Sequence, residues 1–192
     1  MKLSQDGLAF VAKWEGFRTN PYNDAAGNAT IGYGHLLHRG RVTAGDHARW
    51  DRTTEKSARL ILAQDTLSAE TAMSKVVKVP ISQPQFDALV SLAFNVGNSA
   101  VATSTLIRVL NSGNYGDAGK QFLRWNRAGG EIVAGLVNRR RQESKIFLQA
   151  DKVRRWQLRL EAIRDAADHP PGWTLSRRVR ARILKSLIAA RS

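Results

Sequence analysis

Residues 14–35 read Trp14-Glu15-Gly16-Phe17-Arg18-Thr19-Asn20-Pro21-Tyr22-Asn23-Asp24-Ala25-Ala26-Gly27-Asn28-Ala29-Thr30-Ile31-Gly32-Tyr33-Gly34-His35, and the hydrophobic period changes inside this stretch. Upstream of it, from Leu3 to Glu15, apolar residues recur at helical spacing, with Leu8, Val11 and Glu15 on one face. Ser4 is a natural N-cap, Asp6 suits the first helical turn, and Gly16 is a natural stop. Downstream, Pro21, Asn23, Gly27 and Asn28 mark turns, and Ala29 to Gly34 alternates as a short strand. Tyr22 to Thr30 therefore reads as a small hairpin following a helix. One helix feeding a short antiparallel element predicts an α+β chain rather than an all-helical one.

Two carboxyl groups stand in contrasting surroundings within this stretch. Glu15 ends the apolar stripe, and partial burial there disfavours the charged form, which suits a proton donor. Asp24 lies in the turn, where water keeps it ionised. The hairpin would bring Asp24 and Thr30 together. Thr30, Gly32 and Gly34 share one face of the strand, and the glycines would let a bulky substrate approach the backbone closely. Two carboxyls whose environments differ in this way form the glycosidase pattern. Taken singly, a Glu at a helix end and an Asp in a turn are ordinary structural features, a solvated terminus and an Asx-turn. Chemistry is indicated by their coincidence with the spacing and the glycine-rich strand.

These residues, with several others, resemble the phage-type lysozyme or endolysin family. The resemblance rests on the Glu15, Asp24, Thr30 spacing and the run Thr30-Ile31-Gly32-Tyr33-Gly34-His35-Leu36. It rests also on Ala93-Phe94-Asn95-Val96-Gly97, on Trp125 followed by Ala128-Gly129-Gly130, and on Gly135-Leu136-Val137-Asn138-Arg139-Arg140. It covers about residues 1–150.

The resemblance implies a mainly α-helical, lysozyme-like two-lobed α+β fold. A small β-containing lobe would span about residues 15–52 and a linking helix about 53–78. A helical lobe would span about 79–150, with the N-terminal helix packed on it. It implies cleavage of the β-1,4 bond between N-acetylmuramic acid and N-acetylglucosamine in bacterial peptidoglycan. Glu15 would protonate the leaving oxygen, and Asp24 with Thr30 would hold and activate the attacking water or stabilise the developing positive charge. An inverting course would set the two carboxyls roughly 6.5–9.5 Å apart. Arg139 would pair with the acid, and Leu36, Phe94, Thr105 and Gln121 would line the sugar cleft. Phe94 serves equally well as a core residue. His35 would pair with Asp65 as a structural ion pair rather than act as a base. The resemblance also implies a holin to release the enzyme to the wall.

Composition bounds the rest. A chain of 192 residues with 43% hydrophobic content can bury a full core, and a monomer is expected. The absence of cysteine excludes disulfides and a thiolate zinc site, and four histidines without metal-ligand spacing predict no cofactor or metal. The N-terminal pattern is interrupted by Asp6 and Lys13, unlike a signal peptide, and no apolar run reaches 18 residues. The expectation is accumulation in the host cytoplasm until the membrane is permeabilised.

Helices are predicted over about 53–78, then 85–95, 103–111, 116–125 and 137–150, divided by Pro80, Pro84 and glycine or asparagine turns. Residues 151–192 form a basic tail. They hold eleven basic and four acidic side chains, half of the net +14. Pro170-Pro171-Gly172 splits the tail into two amphipathic stretches, Val153, Trp156, Leu160 and Ile163 in the first and Leu175, Val179, Ile183 and Leu187 in the second. The plain expectation for the first is packing on the catalytic domain. For residues 173–191 it is contact with anionic outer-membrane lipid. Two other readings compete with the hydrolase. One is a lytic transglycosylase using Glu15 alone. The other is a non-enzymatic basic protein binding membrane or nucleic acid, although no nucleic-acid motif is present and aromatics are not interleaved in the basic runs.

Overall fold

The computed structural model describes residues 1–168. Helix α1, Gln5–Glu15, starts where the Ser4 hydroxyl accepts the Gly7 amide and ends at Gly16, whose φ of +73° turns the chain out of the helix. Ser4 also donates its amide and hydroxyl to the Asp87 carboxylate on helix α5, Gln83–Val96. This anchor brings the two helices so close that a Cβ at Gly7 would lie 2.6 Å from the Asp87 carboxyl carbon. A glycine is needed there for contact distance, not for backbone conformation.

The hairpin read from the sequence acquires a third strand. Strands β1 (Arg18–Asn23), β2 (Ala29–Gly32) and β3 (His35–His38) pair antiparallel in that order. Tyr22 faces Thr30 across the first pair, and Thr30 faces Leu36 across the second. All four residues of β2 are buried, including Gly32, where an added Cβ would lie 3.0 Å from the Ala58 side chain. The glycine face expected to meet substrate is therefore covered at Gly32 by helix α3, Glu55–Asp65. Helix α2, Ala44–Trp50, was not foreseen. It is opened by a capping box in which Thr43 and Asp46 satisfy each other's backbone amides.

The single linking helix expected over 53–78 is broken. α3 ends at Asp65, and α4, Leu67–Val76, begins after Thr66. The Thr66 side chain is fully buried and its hydroxyl donates to the Ala63 carbonyl, the local bonding that lets a threonine compete with the helix ladder.

α5 runs through the centre of the helical lobe, buried on nearly every side from Gln85 to Ala93. Against it pack α1, α4, α6 (Asn98–Ala102) and α9 (Ala134–Asp168), while α7 (Thr105–Asn111) packs on α8 (Tyr115–Gln121), which in turn packs on α9. The two-residue strands β4 (Arg127–Ala128) and β5 (Glu131–Ile132) close a hairpin over Gly129 and Gly130.

Two hydrophobic clusters result among the described residues. The larger joins Met73, Leu89, Leu92, Leu106, Leu110, Phe122 and Phe147; the smaller joins Leu8, Val11, Tyr33, Ala58 and Leu62. Phe94 packs against both.

α9 does not stop near residue 150. No glycine or proline interrupts Leu136 to Asp168, so one helix of 35 residues extends beyond its packing partners. The expected docking of the first tail stretch on the domain is not observed. Val153, Trp156, Leu160 and Ile163 are 54–65% exposed. The second stretch, with the surface proposed at 173–191, lies outside the described residues. No described helix is long and apolar enough to cross a membrane.

Candidate active site

Glu15 stands at the C-terminal end of α1, where Gly16 diverts the chain into β1. Its carboxylate is 22% exposed, and Oε1 accepts a 2.7 Å hydrogen bond from Arg139 Nη1 on α9. Arg139 is itself buried. Its Nε reaches Glu143 Oε1 at 3.3 Å, and its Nη2 lies 3.4 Å from both the carbonyl and the hydroxyl oxygen of Ser91. Behind it, Arg140 completes a four-charge cluster. Its Nη2 donates to Glu143 Oε1 at 3.1 Å and to Asn95 Oδ1 at 3.0 Å, and its Nε lies 2.9 Å from Glu143 Oε2. That last contact has ion-pair distance without hydrogen-bond alignment, which leaves Glu143 Oε2 without a hydrogen-bond donor. The Ser91 hydroxyl donates to Oε1 of the same carboxylate at 2.6 Å. Burial pushes the Arg140 guanidinium down to about 10, still protonated at neutral pH. Burial pushes the Glu143 carboxyl up, against the pull of Arg140, the Ser91 hydroxyl and Arg139.

Asp24 is held quite differently. It closes the β1–β2 turn by accepting the amides of Ala26 (2.9 Å) and Asn28 (2.8 Å) on Oδ1, while Oδ2 accepts the Asn28 side-chain amide at 3.4 Å. The Asn28 backbone bond is the main cause holding its carboxyl below the usual range, so the group stays ionised. Thr30 is buried, and its hydroxyl donates to the Asn28 carbonyl at 3.1 Å. Asn28 thus links Asp24 to Thr30. The phenol of Tyr22 is raised first by burial; Arg18 opposes this, and the charges of Asp24 and Glu15 add to it. Both carboxylates therefore act on the ring that separates them in sequence.

The remaining residues singled out from the sequence are dispersed. Leu36 is 49% exposed beside Thr30 on the sheet. Phe94 is half-buried between the two clusters. Thr105, exposed, opens α7, and Gln121, half-buried, ends α8; neither is hydrogen-bonded to Glu15, Asp24 or Thr30. His35 Nδ1 lies 3.0 Å from each oxygen of Asp65, tying β3 to the end of α3. Sequence reasoning gave no site role to Asn28, Ser91, Asn95 or Glu143. For Glu143 a signal existed, since it follows Arg140 by three residues and Arg139 by four, the spacing at which helical side chains meet.

Comparison with known proteins identifies relatives of this chain. The phage lysozyme family model matches residues 12–143. The chain is 40% identical over 148 residues to an endolysin of Salmonella phage P22, covering 77% of this chain and 99% of that protein. It is 39% identical over 156 residues to an endolysin of Bacillus phage B103, covering 79% of this chain but only 56% of that relative's length. Its backbone is similar to the solved muramidase domain of SpmX from Asticaccaulis excentricus, with a TM-score of 0.66 and 32% identity over 77% of this chain and 97% of that one. By the extent of these matches, the chain belongs to the phage lysozyme family.

Proposed function

We propose that Glu15 is the general acid and Asp24, with Thr30, the group that positions and deprotonates water. The coarser activity is that of an endolysin with lysozyme activity, a phage lysis protein whose substrate is peptidoglycan. The Glu15 proton passes to the glycosidic oxygen as its bond to the muramic acid C1 breaks. Water adds to C1, and its proton passes to the Asp24 carboxylate. The products are a free hydroxyl on one sugar and a reducing end on the other.

The contrast between the two carboxylates supports this reading. Asp24, wrapped by backbone amides, stays ionised at a pH where a carboxylic acid still donates protons. Glu15 is partly buried on a guanidinium that can hold it in place in either protonation state. Leu36, Phe94, Thr105 and Gln121 complete the proposed cleft, and Arg139 steers the acid. Residues 1–150 carry the reaction, and 151–192 form a basic appendage whose 173–191 segment meets anionic lipid. The enzyme works as a monomer without cofactor, accumulates in the host cytoplasm and reaches the wall once a holin has opened the membrane.

The test is turbidity loss of outer-membrane-permeabilised Gram-negative cells by wild type, Glu15→Gln and Asp24→Asn, with mass spectrometry of the soluble products. Each substitution should lower the rate by about 10²–10⁴-fold, and wild-type fragments should carry reducing ends. Anhydro-muropeptides, lost only with Glu15→Gln, would instead make the enzyme a lytic transglycosylase.

A further inference from the structure

The mechanism uses Glu15 and one guanidinium, yet the chain buries two arginines and a second glutamate behind them. Arg139, Arg140 and Glu143 are 0–3% exposed. Buried charges are costly unless paired, and a fully buried carboxylate in a helical lobe needs a reason. Counting charges supplies one. With Glu15 ionised, two guanidinium groups face two carboxylates and the cluster is neutral. When Glu15 takes up the proton it must deliver, the cluster carries one positive charge, and only Glu143 then balances the pair of arginines.

We propose that Glu143 is a positioning residue for the acid: it shares Arg139 with Glu15 and holds Arg140, so that protonated Glu15 leaves a single uncompensated charge instead of two. The inference rests on Glu15 being the acid.

The geometry carries the argument at three points. Glu143 Oε1 receives Arg139 Nε, so the guanidinium is shared and its Nη1 alone turns toward Glu15. Arg140 makes its contacts to Glu143 and Asn95 and reaches Glu15 only through space, where its charge is felt in full once Glu143 is neutral. Ser91, on α5, donates to Glu143 at 2.6 Å and fixes which oxygen the arginines share. Among the described residues the cluster is faced from α1, α5, α9 and the sheet; α1 brings Lys13, whose Nζ donates at 3.3 Å to Oε1 of Gln142, next to Glu143 in sequence. α5 contributes the uncharged Ser91 and Asn95, α9 contributes Arg139 and Arg140, and from the sheet side Tyr22 couples electrostatically to Glu15. Among the described residues, Arg139 and Arg140 are the charged groups in ion-pair contact with Glu143.

Removing one charge of either sign must then move the reaction's pH dependence in opposite directions. Glu143→Gln leaves two positive charges around the acid, disfavours its protonated form and moves the alkaline limb of kcat to lower pH, by roughly one unit or more. Arg140→Gln leaves one positive charge shared by two carboxylates and moves the same limb to higher pH. The double variant restores the charge count and brings the limb back toward wild type, while KM for solubilised glycan strands stays within about twofold in all three.

The experiment is the pH–rate profile of the full chain and these variants on solubilised peptidoglycan, each assayed well below its own unfolding midpoint, with Glu15→Gln measured beside them. Opposite shifts of the two single variants, cancelling in the double, are the expected result, and either single variant alone fixes the sign. Equal losses of kcat at every pH with no movement of the limb would reduce Glu143 to a structural residue and overturn the proposal. If Glu15→Gln keeps its activity, the assignment of the acid fails instead, and the two failures are told apart by that one control.

Discussion

The two halves of α9 carry similar helical patterns and meet opposite fates. Between Ala134 and Ala150 the inward face presents Arg139, Arg140, Glu143, Ser144 and Phe147, all buried against α5 and α8. Between Val153 and Ile163 an apolar stripe at the same periodicity stands 54–65% exposed. The face that carries charge is the buried one, and the apolar face is the exposed one. Amphipathic spacing therefore reports that a helix has a face, while burial is decided by whether another element lies opposite it. Arginine and glutamate are buried here because they find each other and Ser91; tryptophan and isoleucine are exposed because the described chain offers nothing to cover them.

The sharpest way to break this comparison is to remove one partner from the buried half. Arg140→Ala leaves Glu143 inside the lobe with half of its compensation gone, and should cost about 3–5 kcal/mol of stability. Urea unfolding of the full chain reads this directly. A loss below about 1 kcal/mol would mean that water reaches the cluster and that its burial matters far less than the packing suggests. A smaller effect is expected one turn on. The Ser144 hydroxyl donates to the Gly119 carbonyl at 2.8 Å in a buried contact between α9 and α8, so Ser144→Ala should cost about 1 kcal/mol. A neutral outcome would place water in that contact.

What the sequence made legible follows the same division. The end of α1 at Gly16 and the Asp24 turn could be read because each depends on residues with a fixed conformational meaning, a glycine at positive φ and an Asx-turn, while the His35–Asp65 pair was legible only through the family resemblance. The third strand, the break at Thr66 and the cover over Gly32 could not. Strand β3 depends on pairing with β2, the break depends on a threonine choosing a local carbonyl over the helix ladder, and Gly32 is closed by a helix more than twenty residues away in sequence. In the candidate site, Glu15, Asp24 and Thr30 stood out by spacing and residue type, and Arg139 by resemblance. Ser91 was hidden because a buried polar residue looks like a surface one until its partners are known, and Glu143 showed itself only by its spacing from Arg139 and Arg140.

The smallest effect belongs to the exposed half, and its smallness is the point. Trp156 is 65% exposed at the centre of its stripe. A large aromatic in that state contributes little to folding, so Trp156→Ala should change stability by less than about 0.5 kcal/mol, measured in the same urea titration as Arg140→Ala. Leu160→Ala should do the same, and the two should add without coupling. Should Trp156→Ala instead cost more than about 1 kcal/mol, the stripe must be covered in solution. Dilution then separates the cases: a cost that fades at low protein concentration means a second copy lies on the helix, and a cost independent of concentration means the chain covers the stripe itself. The contrast between the halves of α9 would then lie in which partner arrives, with both faces buried, and the exposed aromatic would mark a contact that residues 1–168 do not contain.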